Sequence, residues 1–342
     1  MASAPLPTRP LGRNGPQVTA LGFGGMGLSV GYGAPEADEP RLEVLDRAYD
    51  LGERFWDSAD IYGDNEDLIG KWFARTGKRD DIFLATKFAI SLKPDGSREV
   101  RSDPDYIKEA CAKSLKRLGV DSIDLYYCHR VDQKTPIEKT VQAMKELKDE
   151  GKIKYLGLSE VSAETLRRAH AVHPISAVQI EYSPFTMDIE DPQIALLKTC
   201  RELGVATVAY SPLGRGFVTG QYKSPDDFEE GDFRKNIPRF SEENFPKNLA
   251  LVDKLTTIAK NKDCTAGQLT LAWLLRQGED IIPIPGTKKI KYLEENLGAL
   301  DVKLSDSEDK EIRQAIENAE VHGERYPEAM VSTLFANTPP LA

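Results

Sequence analysis

Cysteine and histidine are scarce in this chain, four of each, and their placement excludes two common ways of building a site. Cys111, Cys128, Cys200 and Cys264 are scattered and form no C-x-x-C pair. They read as buried thiols in a reducing compartment, neither a disulfide frame nor a zinc site. His170 and His173 stand three apart but lack the carboxylate of an H-E-x-x-H motif, and His129 and His322 stand alone, so no metal is expected. Long apolar runs are absent too, so no segment is expected to span a bilayer. The opening MASAPLPTRPLGRNG lacks the apolar core of a secretory leader, and cytoplasmic residence is the expectation. Positive charge is in deficit: 45 Lys and Arg against 55 Asp and Glu give a formal charge of −10. That speaks against nucleic acid or an anionic membrane as partner, while leaving room for a local basic pocket that takes a small anion.

What the chain does have is regular alternation. Its 342 residues can bury a large core without staples. Short apolar runs recur at Val18–Gly24, Arg54–Ser58, Ile82–Lys87, Ile123–His129, Ile153–Ser159, Ala177–Tyr182, Ala206–Ser211 and Ile281–Gly286. Most are continuous, as parallel strands buried on both faces require. Helical patterns fall between them, around Arg41–Leu51, Asp64–Phe73, Pro104–Leu118, Pro136–Glu150, Ala163–Ala171, Ile194–Leu203, Thr265–Gln277 and Ile290–Ala299. About eight β–α units with short loops and no break in composition predict one α/β domain over residues 1–342, a (β/α)8 TIM barrel. Three pieces exceed a minimal barrel. Residues 7–19 predict a hairpin that turns at Asn14-Gly15 and plugs the barrel bottom. Residues 211–248 form a long loop after the seventh strand, expected to act as a lid, with an extra helix near Leu249–Lys262. The tail from Ser305 carries one helix, and residues 320–342 end irregularly as FANTPPLA.

GFGGMG spells G-x-G-x-x-G at Gly22, Gly24 and Gly27, but a dinucleotide fingerprint needs a helix to open at once. LSVGYGAPEADEP follows, and no helix is expected before about Pro40. These glycines are expected instead to let backbone come close to a bound ligand. The stronger signal lies at the C-terminal ends of the predicted strands, where a barrel keeps its chemistry. Read in order, they end on Asp57, Lys87, His129, Ser159, Gln179 and Glu181, Tyr210 and Ser211, then Gly286 and Thr287. A bland alternative exists: Asp57 and Lys87 as a buried ion pair beside a core histidine. Three such residues at successive strand ends, next to Tyr62-Gly63, favour function. A tyrosine that gives up a proton near neutral pH needs a nearby cation, which Lys87 can supply, and Lys87 needs Asp57 to stay charged when desolvated. His129 can donate to a carbonyl oxygen. The set polarises a C=O and protonates its oxygen but holds no nucleophile, so a nicotinamide hydride is the natural electron source. Tyr210 could stack on that ring.

The stretches DSADIYGDNEDLIGKW, LATKF, YYCHR, KYLGLSE, QIEYSPF, AYSPLGRGF and IPIPGTKKIKYLEENLGAL resemble the aldo-keto reductases, in order and over nearly the whole chain. LRRAHAVHPISAVQIEYS and the ending FANTPPLA are similar to the perakine reductase-like branch. The resemblance implies a barrel that uses NADPH without a Rossmann domain, and a tetrad of Asp57, Tyr62, Lys87 and His129 with Tyr62 as acid–base. It implies that Ser159 and Gln179 bind the carboxamide and that Tyr210 stacks on the nicotinamide, with Ser211 beside it. It further implies that Leu213, Gly214, Arg215 and Gly216 follow the pyrophosphate, and that Gly286, Thr287, Lys288, Glu295 and Asn296 hold the adenosine end. Two departures stand out. Glu160 replaces the Asn common in relatives, although the perakine-like branch also carries Glu there. No Arg stands near Tyr292, so the 2′-phosphate falls to Lys288, Lys289 or Lys291, unless these are only a solvated helix start.

The expected activity is NADPH-dependent reduction of an aldehyde or ketone to an alcohol, with Met26, Phe88 and Arg130 shaping the substrate pocket. Two other readings remain: a cofactor-binding regulatory subunit with little turnover, and a Schiff-base aldolase using Lys87.

Overall fold

The computed structural model describes residues 5–93, 95 and 97–341. Eight strands pair in parallel and in chain order: β1 (Phe23–Gly24), β2 (Phe55–Asp57), β3 (Phe83–Phe88), β4 (Ile123–Cys128), β5 (Ile153–Ser159), β6 (Ala177–Glu181), β7 (Ala206–Tyr210) and β8 (Ile281–Pro283). Backbone bonds close the ring: Gly22 N donates to Pro283 O at 2.9 Å and Gly24 N to Pro285 O at 3.2 Å. Outside it run α1 (Asp38–Asp50), α2 (Asn65–Thr76), α3 (Pro104–Leu118), α4 (Ile137–Asp149), α5 (Ala163–Val172) and α6 (Leu196–Leu203). They are followed by α7 (Phe245–Asn261), α8 (Ala266–Arg276), α9 (Ile290–Leu297), α10 (Asp306–Glu317) and the short α11 (Glu328–Val331). This is a (β/α)8 barrel. No helix among the described residues is long and apolar enough to cross a membrane.

The ring closure explains the Gly-rich motif. A Cβ on Gly24 would lie 2.7 Å from Ile284 O, and one on Gly22 would lie 2.8 Å from Ile284 Cγ2. These glycines let β1 approach β8, Gly24 against the backbone at the end of β8 and Gly22 against the side chains of Ile284 and Phe55. The run Val18–Gly24 is accordingly not one strand. Gln17–Thr19 pairs antiparallel with Thr8–Pro10, and only Phe23–Gly24 joins the barrel. Leu11, in the hairpin turn, is fully buried with Phe55, Leu125 and Val208 in the barrel interior, so the hairpin supplies the bottom of the inner core.

Side-chain parity positions the site. Phe55, Ala85, Leu125, Tyr127, Ala177, Ala206 and Val208 form the inner cluster, whereas Trp56, Leu84, Tyr126 and Val178 pack outward with helix residues such as Leu45, Ile107 and Val141. Strand residues alternate faces. Asp57, Lys87, Ser159, Gln179 and Tyr210 share the inward parity of their strands, and His129 continues that of β4. Phe88 has the opposite parity. It is fully buried in the outer cluster, its ring 4.9 Å from that of Tyr126, and it does not line the barrel mouth as the sequence reading expected.

Residues 211–248, the segment expected to act as a lid, are not structureless. They carry four short 3-10 turns, Phe217–Thr219, Pro225–Asp227, Phe233–Asn236 and Pro238–Phe240. Phe217, Phe228 and Phe240 form a buried aromatic cluster with Phe245 and Phe185, which gives the segment a core of its own. Phe233 N donates to Gly31 O at 3.0 Å, linking the segment to the loop after β1. A second hairpin, Ile90–Leu92 with Arg98–Val100, follows β3 and had no counterpart in the sequence reading.

At the barrel bottom, Glu53 is buried, accepts from Thr19 Oγ1 and Phe55 N, both at 2.7 Å, and leaves Oε2 unpartnered. Burial raises its pKa from 4.5 to about 8, against the pull of those two bonds and of Arg54. The folded chain therefore holds a proton that the unfolded chain releases. This contribution is fully present below the unfolded value and is lost as pH rises through about 8. Glu53→Gln is expected to flatten the fall in thermal midpoint between pH 5 and pH 8 by about 2 °C or more; identical pH profiles for variant and wild type would place the proton elsewhere.

Candidate active site

The loop after β2 is built to present one phenol. Tyr62 N bonds to Ala59 O and Asn65 N to Tyr62 O, which gives a tight double turn. Asn65, buried at the start of α2, accepts from Ser58 Oγ at 2.7 Å and donates to Gly25 O at 3.0 Å, tying this loop to the one after β1. Asp60 N bonds to Lys87 O at 3.0 Å, fixing the loop against β3.

Four side chains then converge. Lys87 Nζ donates to Asp57 Oδ1 at 2.5 Å and to Ser58 O at 2.6 Å, and lies 3.4 Å from the Tyr62 hydroxyl. The His129 ring meets Tyr62 edge-on, centroids 5.8 Å apart. Gln179 Nε2 donates to the other Asp57 oxygen at 2.8 Å. Both carboxylate oxygens of Asp57 and all three protons of Lys87 are thus accounted for. Burial pushes Lys87 down and Asp57 up, and their contact opposes both shifts. Burial, aided by Arg130 and Lys87, pushes His129 well below its ordinary value. The imidazole is therefore neutral, and its buried Nδ1 has no partner. Burial, with Asp57 and Tyr326 adding to it, raises Tyr62 well above 10. The cation expected beside the phenol is in place, its charge is shared with Asp57, and the phenol keeps its proton, as a donor must.

The residues expected to hold a cofactor fall into three groups. Around the tetrad, Ser159 Oγ accepts from Arg130 Nη1 at 3.2 Å, Gln179 is committed to Asp57, and the Tyr210 hydroxyl donates to Glu160. Arg130 is buried with Nε unpartnered, and Met26 lies in a 3-10 turn just past β1. Next come the turns after β7, where Ser211, Gly214, Arg215 and Gly216 all have positive φ. The Arg215 side chain is not free for a phosphate: it pairs with Glu181 at 3.0 Å and donates to Arg325 O at 2.6 Å. At the third place, Thr287 Oγ1 accepts from Lys289 N at 3.0 Å just ahead of α9. Lys288 Nζ reaches the carbonyl of Tyr32, so this lysine bridges the loops after β8 and β1. Leu213 and Glu295 converge over Gly267, where a Cβ would lie 3.8 Å from Leu213 Cδ2 and 3.5 Å from Glu295 Oε1, and Asn296 is buried beside them.

Three residues at the mouth were not singled out for a role in the sequence: Glu181, Arg325 and Tyr326. Glu181 was visible as a strand-end carboxylate. Arg325 and Tyr326 sit in an irregular tail whose residues follow no period, so nothing local marks them.

An eight-stranded parallel barrel with Asp, Tyr, Lys and His gathered at its C-terminal mouth defines a class. The chain matches the aldo/keto reductase family over residues 20–317. It is 60% identical over 342 residues to aldo-keto reductase str7 of Strobilurus tenacellus, covering 98% of this chain and 99% of that one. It is 57% identical over 339 residues to aldo-keto reductase yakc [NADP(+)] of Schizosaccharomyces pombe, covering 98% and 99%. Among solved structures it resembles the glycerol dehydrogenase AKR11B4 of Gluconobacter oxydans, with TM-score 0.82, 26% identity and coverage of 93% and 97%. It also resembles the thermostable aldo-keto reductase Tm1743, with TM-score 0.71, 30% identity and coverage of 91% and 100%. The chain belongs to the aldo/keto reductase family.

Proposed function

We propose that this protein reduces an aldehyde or ketone to the alcohol with NADPH, using Tyr62 as the proton donor. The observation that carries this reading is the contact of one buried ammonium, Lys87 Nζ, with both Asp57 and the Tyr62 hydroxyl, opposite a neutral imidazole. The naming of the fission-yeast relative as an NADP(+) enzyme supports the cofactor, and the donor set fits it. Lysines 288, 289 and 291 with Thr287 suit a phosphate at the start of α9. Ser159, Gln179 and Tyr210 suit the amide and ring, and the backbone from Ser211 to Gly216 suits a pyrophosphate. When bound, NADPH supplies the hydride.

The chain's own residues do the rest. His129 donates to the carbonyl oxygen and fixes its direction. Tyr62 passes its proton to that oxygen as charge develops there. Lys87 donates to the tyrosinate left behind, and Asp57 keeps Lys87 charged while it is out of water. Met26 and Arg130 shape the substrate side. A regulatory subunit with little turnover is not favoured, because the tetrad is complete. A Schiff-base aldolase needs a free amine, and the three protons of Lys87 already have acceptors. The direct test is NADPH consumption against a panel of aldehydes and ketones; no consumption with any of them overturns the proposal.

Cofactor choice is tested at the start of α9. An adenosine 2′-phosphate carries nearly two negative charges and calls for cations. Lys288→Glu with Lys289→Glu is expected to raise the KM for NADPH on the order of 10²-fold, as loss of two charge-assisted contacts implies, and to leave NADH almost unchanged. Equal loss with both cofactors would leave these lysines as a solvated helix start.

A further inference from the structure

The C-terminal segment returns over the barrel mouth and binds the residue that follows β5. That residue, Glu160, is fully buried and has φ +53°. Arg325 grips its carboxylate with both arms, Nη1 to Oε1 at 2.8 Å and Nη2 to Oε2 at 2.9 Å. The Tyr210 hydroxyl donates to Oε1 at 2.7 Å and accepts from Arg325 Nη1 at 3.0 Å. Behind this triangle, Arg215 pairs with Glu181 and donates to the Arg325 carbonyl, and its guanidinium lies 4.6 Å from the centre of the Tyr326 ring. The backbone is sewn in as well: Ala336 N donates to Glu160 O at 2.9 Å, and Ser162 N to Ala336 O at 3.1 Å. Burial works to raise the pKa of Glu160, and Arg325, Arg130 and the Tyr210 hydroxyl together outweigh it. The carboxylate is therefore ionised and has no free oxygen to offer a ligand.

We propose that Arg325 is a positioning residue for the nicotinamide end of the cofactor: through Glu160 it pins the Tyr210 hydroxyl, and so fixes the ring face that Tyr210 offers to the nicotinamide. This rests on the cofactor reading above. It gives Glu160 the role of anchor instead of carboxamide ligand, and it makes the C-terminal segment part of the cofactor site. A two-armed guanidinium–carboxylate pair sets orientation as well as distance, which the single ammonium of lysine cannot.

The test separates the two ends of the cofactor. Wild type, Arg325→Lys, Arg325→Met and Arg325→Met/Glu160→Gln are titrated with NADPH and with adenosine 2′,5′-bisphosphate, which has the phosphorylated adenosine but no nicotinamide. Arg325→Met is expected to weaken NADPH about tenfold and to keep the bisphosphate within about twofold, with a lower kcat. Arg325→Lys is expected to lie between it and wild type. The double variant removes the unpaired buried carboxylate, so it is expected to recover the thermal midpoint without recovering NADPH affinity. It and Arg325→Lys carry the test should the single methionine variant fail to fold. Equal loss of both ligands, unchanged NADPH affinity, or recovery of that affinity together with the midpoint would each reduce Arg325 to a structural tie and overturn the proposal. Failure of wild type to bind NADPH strikes the cofactor reading instead, and is seen before any variant is made.

Discussion

Tyr62→Phe is expected to lower carbonyl reduction by about 10² to 10⁴-fold, the usual cost of removing a general acid, while NADPH binds as before. The hydroxyl sits 3.4 Å from Lys87 Nζ, and the ring meets that of His129 at a steep angle, centroids 5.8 Å apart. Burial and the Asp57 carboxylate hold the phenol protonated well above its usual range. The acid is therefore present throughout the neutral range, and wild-type reduction should not fall between about pH 6 and pH 8 through its loss. Phenylalanine keeps the ring packed against His129 and removes only the proton. Turnover measured with saturating NADPH, beside a fluorescence titration of the cofactor, separates chemistry from binding. Activity within about threefold of wild type would take Tyr62 out of the mechanism.

The second large effect is expected at Lys87. Lys87→Met removes the cation that meets the tyrosinate and leaves Asp57 buried without its partner. Truncating one side of a buried pair costs about 3–5 kcal/mol of stability, so this variant is expected to lose both activity and thermal midpoint. Lys87→Met with Asp57→Asn removes both charges. Its stability should largely return while activity stays absent, because the proton donor still lacks its cation. Asp57→Asn alone should weaken reduction less than Lys87→Met, since Asp57 acts on the phenol through Lys87. Recovery of activity in the double variant would show that Lys87 serves the fold alone. A substrate trapped on Lys87 by borohydride would restore the aldolase reading.

The parts of the site that were legible in the sequence are those a local rule can carry. Asp57, Lys87, His129, Ser159, Gln179 and Tyr210 stood out because an apolar strand in a barrel ends at one rim, so polar residues at successive strand ends are neighbours in space before any contact is known. Tyr62 followed from its short spacing after Asp57. Phe88 was misread because adjacent strand residues face opposite sides. It stands one residue from Lys87, and that single step turns it from the mouth to the helix layer. Gly22 and Gly24 stand where β1 closes against β8, some 260 residues further along, and the tightness of that closure is visible only in the folded chain.

What the sequence determined by itself was thus the alternation of strands and helices, the chemistry gathered at the strand ends, and through its motifs the family. The tertiary structure decided which faces those residues present, where the proton sits, and which charges are already spent. Glu160 and Arg325 are 165 residues apart, and neither has a local signature. Their pairing, the diversion of Arg215 to Glu181, and the raised pKa of Tyr62 all come from desolvation and charge pairing between distant segments. These interactions depend on distance in space, which hydrophobic periodicity along the chain does not encode.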